Sequence, residues 1–150
     1  MAMPVHMTIS DIAGPEENDI FLVQELHHEV YNVVDPDTGQ SVEETRHRGL
    51  TILKSIDDAT PLLYKSLDEN LKHEVKIEFW KNTPDDDEKK KVFYTITMKS
   101  ALIQSIKPIL PSRVGGGASD KGWDPLEEVT FTYTTISFAT SKDHEIVWIV

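Results

Sequence analysis

The chain has 150 residues and a formal net charge of −11, from 26 acidic against 15 basic side chains. It contains no cysteine, which excludes disulfides, thiolate metal sites and a cysteine nucleophile. At 39% apolar and 27% charged it has the composition of an ordinary globular chain, long enough to build a core within one domain, residues 1–150.

The opening "MAMPVHMTIS" lacks the basic flank and continuous apolar stretch of a cleaved secretory signal. No apolar run reaches the roughly 18 residues of a membrane span, so no membrane insertion is expected. Two stretches, Ile20–Val34 and Thr45–Ile56, carry apolar residues at both parities, as strands buried on both sides do. At about 3.3 Å per residue the first would span roughly 50 Å as one strand, longer than a small barrel needs, which predicts an overhang. Between them Asp35-Pro36 stops the strand, Thr38-Gly39 reverses it, and Glu43-Glu44 keep the tip solvated.

A single helix is predicted at about residues 60–71, with Thr60 as cap, Pro61 at the first position and Asn70 near the end. Leu63, Leu67 and Leu71 recur along it at helical spacing. Val75, Ile77 and Phe79 then alternate with Glu74, Lys76 and Glu78, and Val92, Tyr94, Ile96 and Met98 share one face of the next strand. "PDDDEKKK" reads as the polar loop of that hairpin. Its basic half, Lys89–Lys91, follows Asp85–Glu88 and is self-compensating, so no basic stripe suits nucleic acid. Residues 111–122 have the composition of a flexible loop. Val129, Phe131 and Tyr133 share a parity that Ile136 and Phe138 reverse, which predicts a bulge near Thr134 and Thr135. "EIVWIV" reads as a final strand.

Several segments imitate active sites. Asp35-Pro36-Asp37-Thr38 resembles the nucleophilic motif of haloacid-dehalogenase enzymes, but Gly39 stands where Thr or Val is required, and the necessary α/β helices are missing. In "ELHHE" a strand sends His27 and His28 to opposite sides, so they cannot share a metal ion. His27 keeps Glu25 and Glu29 on its own face, where the carboxylates would favour its protonated form. Gly115–Gly117 lack the Gly-Lys-Ser/Thr of a phosphate loop, and Lys90 stands where a calcium loop needs Gly. No catalytic residue, metal or cofactor is expected.

Taken together, "VDPDTGQ" (Val34–Gln40), "HRGLTILKSIDDATPLLYKSL" (His47–Leu67), "EVKIEFWK", "FYTITMKSALIQSIKPILP" (Phe93–Pro111) and "DPLEEVTFTYTTISF" resemble the haemolysin-coregulated protein (Hcp) family of type VI secretion. The Pro-Leu-Leu-Tyr block beginning at Pro61 is the most specific part. The resemblance implies a mainly β fold, a compact β-barrel of two sheets with one short flanking α-helix. It also implies a homohexameric ring, stacked into a hollow tube within a contractile sheath and expelled with a spike. Effectors would ride in the lumen, and the protein would be cytoplasmic before firing and secreted afterwards. Asp35, Pro36, Asp37, Thr38, Gly39, Gln40, Glu43 and Glu44 would then form the loop that contacts the adjacent ring. "DIAGPEEND" is shorter than the glycine-rich insert of many members, and the short tail after Ile146 suits a plain structural member. The competing readings are a monomeric β-sandwich binding carbohydrate or peptide through Trp80 or Trp123, and a hydrolase built around His27.

Overall fold

Alternating side chains become strand ladders over most of the chain. The computed structural model describes residues 4–83, 86–110 and 124–150, with side chains described outside 83–89. In chain order the strands are β1 (Val5–Ile9), β2 (Phe21–Leu22), β3 (Glu25–His27), β4 (Val30–Tyr31), β5 (Arg46–His47) and β6 (Leu50–Ser55). Helix α1 (Thr60–Glu69) follows, then β7 (Lys72–Thr83), β8 (Asp86–Ile109), β9 (Leu126–Thr132), β10 (Thr135–Thr140) and β11 (Glu145–Ile149). The mainly β class with one short helix is as the sequence predicts.

The sheet arrangement differs from the expected barrel of two sheets. Nine strands form one sheet, ordered β2-β1-β7-β8-β9-β6-β3, with β10 joined to β8 and β11 to β10. Strands β4 and β5 form a separate two-stranded ribbon. Among the described residues no ladder pairs β2 with β3 to close a barrel. Instead the two ends of the order are successive pieces of one segment. Its Val23 N–H donates to Val5 on β1 (3.0 Å), and its Gln24 N–H to Leu53 on β6 (2.8 Å).

Strand β8 organises the sheet. Its first half pairs with β10 and its second half with β9, along the edge opposite β7. The partner changes beside Ser100, which has φ 52, and the β7 register slips between His73 and Val75. A bulge of this kind bends a strand. The parity reversal expected near Thr134 is present, because Val129, Phe131 and Tyr133 are buried and the next buried position is Ile136. The ladder is interrupted there, between β9 and β10.

Three local expectations are corrected. Ile20–Val34 is three short strands rather than one, because the chain changes partner from β1 to β6 and then to β5. Asp86–Lys91, expected in a hairpin loop, belong to β8, where Asp86, Lys90 and Lys91 pair with Thr83, Asn82 and Lys81 of β7, since a ladder is held by backbone bonds and needs no apolar face. Residues 111–122, expected to be a loop, lie outside the described residues. Finally, Ala59 is the residue at the helix cap and Thr60 is already helical. The Thr60 hydroxyl accepts the Asp57 N–H at 3.0 Å and turns its proton toward Glu127, so it braces the turn before the helix. At the other end Asn70 behaves as expected. With φ 55 it is left-handed, and the Leu71 N–H returns to the Ser66 carbonyl at 3.0 Å.

The core lies inside the curved sheet and is sealed by one helical face. Met7, Phe21, Leu50, Ile52, Leu63, Val75, Ile77, Met98, Val129, Phe131 and Ile136 are fully buried. Each such side chain is worth about 1.5–3 kcal/mol of burial. The turn leading from β1 is closed by the Gly14 N–H donating to Asp19, and a Cβ on Gly14 would stand 2.6 Å from the Ile20 carbonyl carbon and oxygen. Gly14→Ala is therefore expected to cost about 1–3 kcal/mol, read as a lowered urea midpoint with unchanged slope. An unchanged midpoint would show that this turn adjusts freely.

Candidate functional site: an exposed arm and its anchorage

Residues 30–47 form an arm whose strands β4 and β5 pair with each other and make no ladder with the large sheet. Val30 pairs with His47 and Tyr31 with Arg46, and an isolated bridge links Val34 to Ser41. The Thr45 hydroxyl donates to the Asn32 side-chain Oδ1 at 2.9 Å, and Arg46 pairs with Glu43. Val34 and Val42 are more than half exposed.

The eight residues expected to make a loop are found together at and beside the tip. Asp35 Oδ1 accepts the Asp37 N–H at 2.8 Å, so this carboxylate shapes the turn. The Asp35 N–H donates to the Gln40 carbonyl at 2.8 Å, and the Gly39 N–H returns to the Asp35 carbonyl at 2.7 Å. Gly39 has φ 72 and open space around it, which a residue without Cβ adopts at no cost. The Thr38 hydroxyl accepts the Gln40 N–H at 3.3 Å. Pro36, Asp37, Thr38, Gln40, Glu43 and Glu44 are exposed, and Asp35 is partly covered. The tip is preorganised by its own short-range bonds and turned outward. No nucleophile arrangement surrounds Asp35 among the described residues.

The arm is anchored by side chains far apart in sequence. His28 precedes β4 and His47 ends β5, and both reach Tyr133, at the break between β9 and β10. The Tyr133 hydroxyl lies 2.8 Å from His28 Nε2 and 2.9 Å from His47 Nδ1. His47 also packs edge-on against Trp148 of β11, and His28 lies beside Phe138 of β10. Burial, followed by the neighbouring His47, holds the His28 imidazole below its usual range. Burial pushes the Tyr133 hydroxyl up to about 12. His27 and His28 do point to opposite sides: His27 turns to Glu25 at 3.2 Å in solvent while His28 turns to Tyr133.

Two further polar groups are buried under the sheet. Lys54 and Glu127 are direct cross-strand partners on β6 and β9 and are 1% and 0% exposed. Lys54 Nζ donates to the Ser55 carbonyl at 2.9 Å and lies 3.0 Å from Asp57 Oδ2 and 3.5 Å from Glu127 Oε2. The Thr60 hydroxyl donates to Glu127 Oε2 at 2.8 Å. Near the helix, His73 Nδ1 donates to the Ser10 carbonyl at 2.8 Å, which leaves Nε2 to accept from the Ser66 hydroxyl at 2.6 Å. That pair has the connectivity of a nucleophile and its base. Ser66 is 1% exposed, however, so substrate has no path to it, and the pair ties the helix to β7. Among the described residues no group of three or more His, Asp or Glu side chains is placed to hold a metal ion.

Composition and turn chemistry located the arm tip. They missed the His28–Tyr133–His47 cluster, whose members are 105 and 86 residues apart, and no local pattern announces it. The Lys54–Glu127 pair did leave a signal. Lys54 shares the buried parity of Leu50 and Ile52, and Glu127 that of Val129 and Phe131. Trp80, considered as a sugar platform, is half-buried beside His6 with ring centroids 5.7 Å apart, and Trp123 lies outside the described residues.

A family model described as "Type VI secretion system effector, Hcp" matches residues 6–139. The protein called Major exported protein from Pseudomonas aeruginosa is 29% identical over 129 residues, spanning 85% of this chain and 70% of that protein. A crystal structure of an Hcp protein superposes with a TM-score of 0.84 at 20% identity, covering 99% of this chain and 98% of that one. The secreted protein Hcp3 from Pseudomonas aeruginosa gives a TM-score of 0.72 at 21% identity, with 99% and 98% covered. At these identities the two structures speak to the fold.

Proposed function

The chain belongs to the Hcp family of type VI secretion proteins, and on that premise we propose that it is a structural tube subunit rather than an enzyme. Residues 1–150 act as one unit, six copies close into a ring, and rings stack into a hollow tube. The tube travels inside a contractile sheath behind a spike and carries effectors in its lumen. The protein is cytoplasmic before firing and exported afterwards. The observation that carries this reading is the family match over residues 6–139.

Surface chemistry supports self-association. Among the described residues, strand β11 pairs only with β10 and leaves one edge open. It exposes Ile146, Val147 and Ile149, the last 86% accessible, followed by Val150. An open, apolar edge strand is a liability unless another chain covers it. A head-to-tail contact that closes by rotation covers such an edge in every copy of a ring. Sedimentation velocity tests this step. A discrete species of six times the 17.0 kDa chain mass is expected, and a lone 17.0 kDa species at all concentrations would overturn it.

Stacking must overcome charge. Each chain carries −11, so two rings approach with about −66 on each. Raising salt from 0.1 M to 1 M shortens the screening length from about 10 Å to about 3 Å. Longer tubes are therefore expected at higher ionic strength, read by light scattering. A tube fraction independent of salt would show that stacking is not limited by repulsion.

A further inference from the structure

The arm of residues 30–47 is joined to the large sheet through an arrangement sensitive to a single proton. The Tyr133 hydroxyl has one proton of its own, so it donates to one imidazole and accepts an N–H from the other. The hydroxyl proton has an acceptor within the cluster only while at least one imidazole presents a bare nitrogen. A proton added to that ring turns donor against donor across the hydroxyl, and a second sets two imidazolium rings side by side.

Among the described residues no carboxylate pairs with either imidazole to neutralise that charge. From the β3–β4 side, His27 is turned to Glu25 and Glu29 is paired with Arg48 at 3.2 Å. From β5, His47 is flanked by Arg46, which is on Glu43, and by Arg48, which also lies over the Tyr31 ring. From β8 come Tyr94, stacked on Phe138, and Lys99, whose carbonyl accepts the Thr134 N–H. Strand β11 contributes the neutral Trp148.

We propose that the His28–Tyr133–His47 cluster is a proton-sensitive latch, which holds the arm against the sheet while both rings are neutral and releases it on acidification. Burial supports this direction. It disfavours the charged His28, and it keeps Tyr133 a neutral hydroxyl rather than a phenolate that would offset the charge. The sign follows from linkage: a histidine whose protonation is resisted in the docked state stabilises docking above its ordinary range and loses that contribution as pH falls. The latch concerns the arm's attachment to its own chain. It bears on ring stacking only through the function proposed above.

Hydrogen exchange of residues 29–47 in the full chain tests it, at low salt and low concentration so that stacking does not shield the arm. After correction for intrinsic exchange, opening of the arm should increase as pH falls from about 8 to about 5, by up to tenfold per pH unit for each proton taken up. The core strands should not follow. Tyr133→Phe keeps the ring and removes the hydroxyl, so the arm should already be open at neutral pH and its pH dependence lost. Should that variant misfold, imidazole NMR of the unmodified chain decides: His28 or His47 must titrate at the midpoint of arm opening. Arm protection that is flat with pH, a Tyr133→Phe arm with unaltered pH dependence, or histidines titrating away from the midpoint would each overturn the latch.

Discussion

Replacing Lys54 by alanine is expected to destabilise the fold by about 3–5 kcal/mol, the loss seen when one partner of a buried ion pair is removed. Lys54 is 1% exposed, and its Nζ donates to the Ser55 carbonyl and lies within 3.5 Å of both the Asp57 and Glu127 carboxylates. Without it, Glu127 keeps, among the described residues, only the Thr60 hydroxyl as a partner, at 0% exposure. The aliphatic stem would also leave a void under Phe21, whose ring lies 5.4 Å from Nζ. Much of the loss therefore comes from an abandoned charge, which a second substitution can relieve. Lys54→Met combined with Glu127→Leu is expected to lie within about 2 kcal/mol of the original chain, because apolar replacement of a whole buried pair is often nearly neutral. Urea unfolding at fixed protein concentration measures both. A Lys54→Ala variant as stable as the parent would mean that water reaches Glu127.

Deleting Pro36–Gln40 is expected to leave rings intact and to abolish most of their stacking. The deletion removes only exposed residues whose bonds are to one another or to Asp35, so it breaks no contact with the core. Ring closure, proposed to use the open β11 edge, is at the other end of the cluster that anchors the arm. Tube length by microscopy and ring mass by sedimentation separate the two steps. Undiminished tubes would show that the arm tip does not join rings, and loss of rings would place the arm in the ring interface itself.

The sequence made the mainly β class, the single helix and the parity break near Thr134 legible, because each is written in local periodicity or in the choice of Pro61 and Asn70. The arm tip was legible for the same reason, since Asp35, Thr38 and Gly39 act on neighbours within five residues. What could not be read was pairing. Ile20–Val34 looked like one long strand because both its parities are apolar, yet it is divided into three strands by two changes of partner. The expected two-sheet barrel is one large sheet, with a bulge beside Ser100 that no compositional mark announces, and one small ribbon. Tyr133 brings two histidines together only because the break between β9 and β10 places it beside the arm. Lys54 and Glu127 were readable as charges on core-facing parity, and their register makes them a pair.

The central claim is that this chain assembles into rings and that rings stack into tubes. Negative-stain electron microscopy of the purified chain, over a range of concentration and salt, tests it most directly. The account predicts six-fold rings at low salt and rows of stacked rings at high salt. A field of single 17.0 kDa particles under every condition would contradict it.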